Sequence, residues 1–217
     1  MGLNLEVARI KKSYHGQVIL VECSFVFEAG RTYALQGQNG SGKSTFLRIA
    51  ALLEPPDAGA VRYWDNGVEL PHDLGLRRRI TLLLPRIGVF NTSVFRNVAY
   101  GLKIRGRRGQ EVEDRVNEAL DRVGLLHKRG HQALDLSSGE TKRLGIARAL
   151  VIEPEVFCLD EPTANLDQEN AEIIEQIIFS MKTARKSTII VVTHDPAQAR
   201  RLGDRPLVMD HGQIVPL

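Results

Sequence analysis

The sequence predicts an α/β fold: a mainly parallel sheet, an antiparallel β subdomain and an inserted helical subdomain. Three observations carry that prediction. Short apolar segments such as "RITLLL", "EVFCLDE" and "STIIVVTHD" alternate with helical stretches, as in a sheet covered on both faces. A glycine-rich loop, "GQNGSGKST", joins a strand to a helix. From about Phe90 to Leu150 strand patterning gives way to helical patterning.

In chain order, "LNLEVARI" and "QVILVECSFVFEAG" alternate apolar and polar residues, the mark of half-buried strands. "RTYAL" is a short strand running into the glycine loop. "KSTFLRIAALL" follows as a helix, and "EPPDAGA" ends it. "AVRYWDNGVEL" reads as strand broken by an Asp-Asn-Gly turn. In the helical block Val112, Val116, Leu120 and Val123 recur at helical spacing and form one apolar face. "EVFCLDE", "QENAEIIEQIIFSMKTA", "STIIVVTHD", "PAQARRL" and "RPLVMDHGQIV" then alternate strand and helix. The expected division is residues 1–89 and 151–217 as an α/β core with its β subdomain, and about 90–150 as the helical insert, all within one domain, 1–217.

The 217 residues, 43% hydrophobic and 25% charged, suit one globular domain with a real core. No apolar run approaches the ~18 residues that span a bilayer, and "MGLNLEVARIKK" lacks the long apolar stretch of a secretion signal. Cys23 and Cys158 lie in apolar strands and read as buried small hydrophobes. The net charge is a mild +3. The clusters Arg77 to Arg79, Arg105 to Arg108 and Arg200-Arg201 could meet phosphate or acidic lipid but read as solvated faces.

Gly37-Gln38-Asn39-Gly40-Ser41-Gly42-Lys43-Ser44, followed by Thr45, fits G-x-x-x-x-G-K-[ST] in full. Glycines let backbone wrap phosphate closely, and consecutive N–H groups at a helix start attract the anion. Lys43 is expected to reach the β- and γ-phosphates, and the Ser44 hydroxyl to ligate Mg²⁺. Asp160 and Glu161 close an apolar strand, so they fall at the sheet edge where ligands bind. Asp160 is placed to hold Mg²⁺ or its water, and Glu161 to take a proton from attacking water. His194 also ends an apolar strand. Alone it reads as structural; in a nucleotide site it could hold the γ-phosphate and the water. Tyr14, in "KSYHG", is a strand-end aromatic or a flat face for a purine.

These pieces, in this order and over nearly the whole chain, resemble the ATP-binding subunit of ABC transporters, importer type. "GQNGSGKST" resembles the Walker A loop, "VFCLDE" the Walker B strand, "ANLD" (Ala164 to Asp167) the D-loop, and His194 the switch histidine; Tyr14 falls where the family stacks adenine. "LSSGE", Leu136-Ser137-Ser138-Gly139-Glu140, resembles the signature usually written LSGGQ and is the most specific marker. By itself it reads as a helix cap. The resemblance explains why one chain carries two phosphate cradles: in a head-to-tail homodimer each ATP lies between one copy's Walker A loop and the other copy's signature. Ser137, Ser138 and Gly139 can supply hydroxyls and N–H groups for that role.

Two positions depart from the pattern. Ser138 stands where the family usually has glycine, a mild change if φ there is negative. Pro85, in "LLLPRIGVF", occupies the position of the Q-loop glutamine, and no glutamine lies between Ile80 and Asn97. In the family that glutamine touches Mg²⁺ and links the site to the membrane subunit.

The resemblance implies an ATP-hydrolysing motor that binds ATP and Mg²⁺, pairs with a second copy of itself and docks on an integral membrane permease at the inner, cytoplasmic face of the cell membrane. An extracytoplasmic solute-binding protein completes such importers, and no nucleic acid is expected. Asn91 to Gly106 resembles the corresponding segment of importers for small anions, with oxyanions such as tungstate or molybdate as cargo. The alternative is a soluble ABC-type ATPase acting on nucleic acid or ribosomes, but the tandem cassettes or coiled-coil inserts of that class are not visible. A P-loop kinase would leave "LSSGE", "ANLD" and His194 unexplained.

Overall fold

The computed structural model describes residues 2–216. In chain order its elements are β1 (Asn4–Tyr14), β2 (Gln17–Phe27), β3 (Thr32–Gln36), α1 (Lys43–Ala50), β4 (Ala58–Asp65), β5 (Val68–Glu69), α2 (Leu74–Arg77), β6 (Ile80–Leu83), α3 (Val94–Lys103), α4 (Gln110–Arg122), α5 (Ser138–Leu150), β7 (Val156–Asp160), α6 (Gln168–Ala184), β8 (Thr188–Val192), α7 (Pro196–Leu202), β9 (Arg205–Asp210) and β10 (Gln213–Pro216). Short 3₁₀ turns at Leu126–Lys128 and Ala133–Asp135 precede α5. The chain divides into two compact units.

The first unit comprises Met1–Leu82, Glu155–Glu161 and Phe179–Leu217. It holds two sheets. One is antiparallel, ordered β2-β1-β4-β5, and its half-buried strands explain the alternation in the sequence. The other has six strands ordered β10-β9-β3-β8-β7-β6. In it β3 pairs parallel with β8 and with β9, and β7 pairs parallel with β8. Every residue of β3, β7 and β8 is buried, which is why these segments lack alternation. Phe27 and Tyr33 pack edge to face at 4.9 Å in the core. Cys23 and Cys158 are both buried and free, as the sequence suggests. The Asn66-Gly67 pair turns β4 into β5, both residues having positive φ. "RPLVMDHGQIV" is not one strand. His211 (φ 45°) and Gly212 (φ 76°) fold it into the β9–β10 hairpin. A histidine at the first turn position hides the signal that Asn-Gly would give.

The second unit comprises Leu83–Pro154 and Pro162–Ile178. Its centre is the trio α3, α4 and α5. Val112, Val116, Leu120 and Val123 are all buried there. Asn97, fully buried on α3, donates through Nδ2 to the carbonyls of Phe90, Thr92 and Ser93 and accepts from the Phe90 N–H, so it stitches the loop after β6 to the helix. Ile87 fills the space beside Gly145 on α5, where an added Cβ would lie 2.3 Å from its Cδ1.

Candidate functional site

The phosphate loop runs from the end of β3 to the start of α1. Gly37 has φ +149° and Gly42 has φ +102°. A Cβ at Gly37 would lie 2.6 Å from the Met209 carbonyl oxygen, so conformation and space both demand glycine there. Gly42 is the N-cap of α1, and no side chain caps the helix. Its first-turn N–H groups are thus left for an anion. Gln38, Asn39 and Gly40 form the exposed tip of the loop, closed by a Ser41 N–H to Gln38 carbonyl bond of 3.2 Å. Lys43 is buried and folds back: Nζ donates to the carbonyls of Gly37 and Gln38, each at 2.8 Å, and to Ser41 Oγ at 3.4 Å. Burial pushes its pKa down, against the pull of Glu161 and Asp160.

Asp160 is the last residue of β7 and only 2% exposed. Burial pushes its carboxyl pKa up, partly offset by a hydrogen bond from the Ser44 side chain. Its Oδ1 is buried without a hydrogen-bond partner among the described residues. A buried carboxylate oxygen without a partner is costly unless a cation completes it. Ser44 and Asp160 together offer hard oxygen donors beside the phosphate loop, a set that fits Mg²⁺.

Glu161 follows at φ 48°, in the left-handed region, with its N–H bonded to the Val192 carbonyl at 3.1 Å. Its Oε1 lies 4.0 Å from His194 Nδ1. His194 sits in the short link between β8 and α7. The neighbouring Asp195 caps α7, accepting from the Ala197 N–H at 2.8 Å, and its own N–H is held by Thr193 Oγ1 at 3.1 Å. The two candidate hydrolytic residues are therefore brought together from separate strand ends.

Tyr14 ends β1 and is half-buried. Its hydroxyl donates to Glu54, and Lys12 Nζ stands 5.5 Å from its ring centroid. Thr45, in the first turn of α1, accepts from Arg48 Nη2 at 3.1 Å. Nothing in the sequence pointed to Glu54 or Arg48, because the contact spans 40 residues and neither position belongs to a motif.

In the second unit Ser137 caps α5 in a full capping box: its Oγ accepts from the Glu140 N–H at 3.3 Å, and Glu140 Oε2 accepts from the Ser137 N–H at 3.0 Å. The Lys128 ammonium and this hydrogen bonding hold the Glu140 carboxyl below its ordinary pKa. Leu136 is half-buried just outside the cap, and Ser137 and Ser138 are exposed. Ser138 is not among the residues with positive φ, so serine fits where the family pattern has glycine. Gly139 is buried against Asn170: a Cβ there would lie 2.4 Å from Asn170 Cγ. Asn170 is in turn gripped by Asp167, whose carboxylate accepts from its N–H at 2.8 Å and from Nδ2 at 2.9 Å. These bonds hold Asp167 below its ordinary pKa. The structure thus joins Gly139, in the segment that resembles the signature, to Asp167, in the one that resembles the D-loop, through Asn170, which the sequence reading missed. Asp three residues ahead of Asn at a helix start is a capping pattern that could have revealed it. Pro85 lies in the exposed turn after β6, with Leu84 and Arg86 beside it.

Of the basic clusters, Arg79 is committed to ion pairs with Glu155 (2.5 Å) and Asp65 (2.6 Å). Among the described residues no helix is long and apolar enough to cross a membrane.

Comparison with known proteins places this geometry. Residues 20–164 match the family model described as ABC transporter. The ATP-binding protein of a tungstate uptake system from Peptoclostridium acidaminophilum is 37% identical over 98% of this chain and 97% of its own length. A probable anion import ATP-binding protein from Haloferax volcanii is 38% identical over 91% of this chain and 74% of its own. Among solved structures, a bacterial ABC transporter cassette in dimeric form aligns with TM-score 0.85 and 28% identity over 97% of this chain and 96% of that one. The same cassette bound to ADP and Pi also aligns with TM-score 0.85. With its mainly parallel sheet and its phosphate loop, and on these matches, the chain belongs to the ABC transporter family, as an ATP-binding subunit that hydrolyses ATP to power transport.

Proposed function

We propose that this subunit drives import of a small oxyanion, working as a homodimer that closes on two ATP molecules. The single observation that carries the catalytic part is the pairing of Ser44 with a buried Asp160 whose Oδ1 lacks a partner, beside an uncapped helix start. In this reading the Walker A residues Gly37 to Thr45 wrap the phosphates, and Lys43 exchanges its two carbonyl partners for phosphate oxygens. Ser44 and Asp160 hold Mg²⁺, which when bound draws charge from the phosphates. Glu161 accepts the proton of the attacking water, and His194, 4.0 Å away, orients it against the γ-phosphate. Tyr14 stacks on the base. Leu136 to Glu140 and Asp167 of the second copy complete the site; residues 1–89 and 151–217 act as the catalytic core and about 90–150 as the insert presenting the signature, with Pro162–Ile178 of that core falling in the second compact unit.

The cargo assignment follows the relatives named for tungstate and anion import. The partners are then an integral membrane permease and an extracytoplasmic solute-binding protein, with this chain on the inner face of the membrane. Phe90, Tyr100 and Ile104 are large apolar side chains exposed on the second unit, and they suit contact with a permease. The relatives named above give no support to a nucleic-acid ATPase. The test is to capture the chain from solubilised membranes. Recovery of a permease with a binding protein supports the reading; recovery of ribosomes or DNA overturns it.

A further inference from the structure

We propose that Glu54 is a positioning residue of the base site, fixing the Tyr14 ring and tying it through Arg48 to the phosphate loop. The inference rests on the reading of Tyr14 as the base platform. Glu54 lies in the turn after α1 and gathers three donors. Tyr14 donates its hydroxyl to Oε1, Lys12 Nζ lies 3.2 Å from the same oxygen, and Arg48 Nε lies 3.2 Å from Oε2. Burial alone would raise the Glu54 pKa, but the bonds from Tyr14, Arg48 and Lys12 outweigh it and keep the carboxylate charged.

The geometry gives each contact a consequence. A tyrosine ring on a strand end turns about two side-chain torsions; a hydrogen bond at its hydroxyl fixes the first, and the Lys12 ammonium over one face restricts the second, about whose axis the hydroxyl oxygen does not move. Lys12 and Tyr14 are two apart on β1, hence on one face of the strand, and the Lys12 ammonium stands over the ring. A ring has two faces; with a cation over one, a base takes the other. Arg48 lies one turn beyond Thr45 on α1 and donates to its hydroxyl, so Glu54 reaches the phosphate loop through one side chain. Base platform and phosphate cradle thus share an anchor, and the distance between them is set before ATP arrives. Preorganisation of this kind lowers the ordering cost of binding.

The test compares ATP with inorganic tripolyphosphate, which has the phosphates and no base, by titration calorimetry on the full chain without Mg²⁺. Tyr14→Ala should abolish the preference for ATP over tripolyphosphate. Tyr14→Phe and Glu54→Ala should each reduce it about five- to tenfold, the double variant no further, and Glu54→Gln, which keeps an acceptor for the hydroxyl, should regain most of it. A merely structural role for Glu54 would weaken both ligands equally, and that result overturns the proposal, as does an additive double variant. If Tyr14→Ala removes the preference while Tyr14→Phe and Glu54→Ala retain it, the positioning role alone falls. If Tyr14→Ala retains the preference, the base platform itself is wrong and the role of Glu54 falls with it.

Discussion

Glu161 Oε1 stands 4.0 Å from His194 Nδ1, beyond direct hydrogen-bond distance and close enough for both to face one small molecule. The two come from different strand ends, β7 and β8, which pair in parallel up to Asp160 and Val192. That pairing is what delivers a carboxylate and an imidazole to the same edge. Glu161 also keeps a left-handed backbone, a conformation that costs a non-glycine residue about 1 kcal/mol or more and tends to occur at functional sites.

If Glu161 is the base, Glu161→Gln keeps shape and ATP binding and loses the proton acceptor. ATP turnover should drop about 10²- to 10⁴-fold, and the chain should accumulate as an ATP-bound dimer on sizing chromatography. Turnover within about twofold of wild type would rule the role out.

Asp160 sets function against stability. Its pKa is raised chiefly by burial, so the folded chain holds a proton there more tightly than the unfolded one. Stability is therefore lost as pH rises through the folded pKa, and above it the ionised, partly unpaired carboxylate is a cost. Asp160→Asn keeps the Ser44 hydrogen bond and removes the charge. In the absence of Mg²⁺ and ATP its Tm should rise by about 2–4 °C, while Mg²⁺-dependent hydrolysis is lost. A lower Tm at neutral pH would show that the carboxylate is already compensated without a metal.

The fold was legible where one period dominated. α6 and α7 begin and end where their sequence patterns do, because Asp195-Pro196 and the Asp167 to Asn170 start are local capping chemistry. The glycine loop was legible because its residue spacing answers to phosphate and to local backbone geometry, although Met209, far away in the chain, also leaves no room for a side chain at Gly37. What stayed hidden depends on contacts far apart in the chain. Glu54 meets Tyr14 across 40 residues, and Gly139 meets Asn170 across a loop and a strand. The β9–β10 turn stayed hidden for another reason: His211 fills the first turn position, where an Asn-Gly or Asp-Gly pair would have marked the hairpin.

The Gly139–Asn170 contact makes a prediction whose sign reverses. Alanine in a helix is favoured over glycine by about 1 kcal/mol. Here its Cβ would meet a side chain that Asp167 holds in place, and overpacking costs about 1–3 kcal/mol. Gly139→Ala should therefore destabilise the chain, whereas the same change on an Asn170→Ala background should stabilise it. Denaturant midpoints for the four chains decide the matter; a destabilisation of the same size in both backgrounds would mean that Asn170 is not the obstacle.

The two-chain site predicts complementation. Ser137→Arg puts bulk and charge at the exposed cap of α5, where the second copy's γ-phosphate would rest. That chain should still bind ATP through Lys43 yet hydrolyse it poorly. Lys43→Ala should fail at the other half. Mixing the two should restore one competent site per heterodimer. If a mixture with demonstrated heterodimers regains no activity over its parents, the shared site is wrong.

Pro85 stands where the family pattern has a glutamine that touches Mg²⁺. Proline carries no side-chain oxygen and cannot ligate the ion. It fixes its own φ near −65° and biases Leu84 toward an extended shape, so the turn after β6 is stiffer than one with glutamine. Water can replace the missing ligand, and the loss should be modest, ~1–2 kcal/mol of transition-state positioning or about tenfold in rate. Pro85→Gln should therefore raise ATP turnover and lower the Mg²⁺ concentration for half-maximal rate. The gain should be larger with the permease present, because in the family the glutamine also links the site to the membrane subunit. The measurement is hydrolysis against Mg²⁺ for both forms, alone and in the assembled complex. Superimposed curves in both settings would mean that this turn contributes nothing to the metal site, and that the chain reaches full activity without the ligand its relatives' pattern supplies.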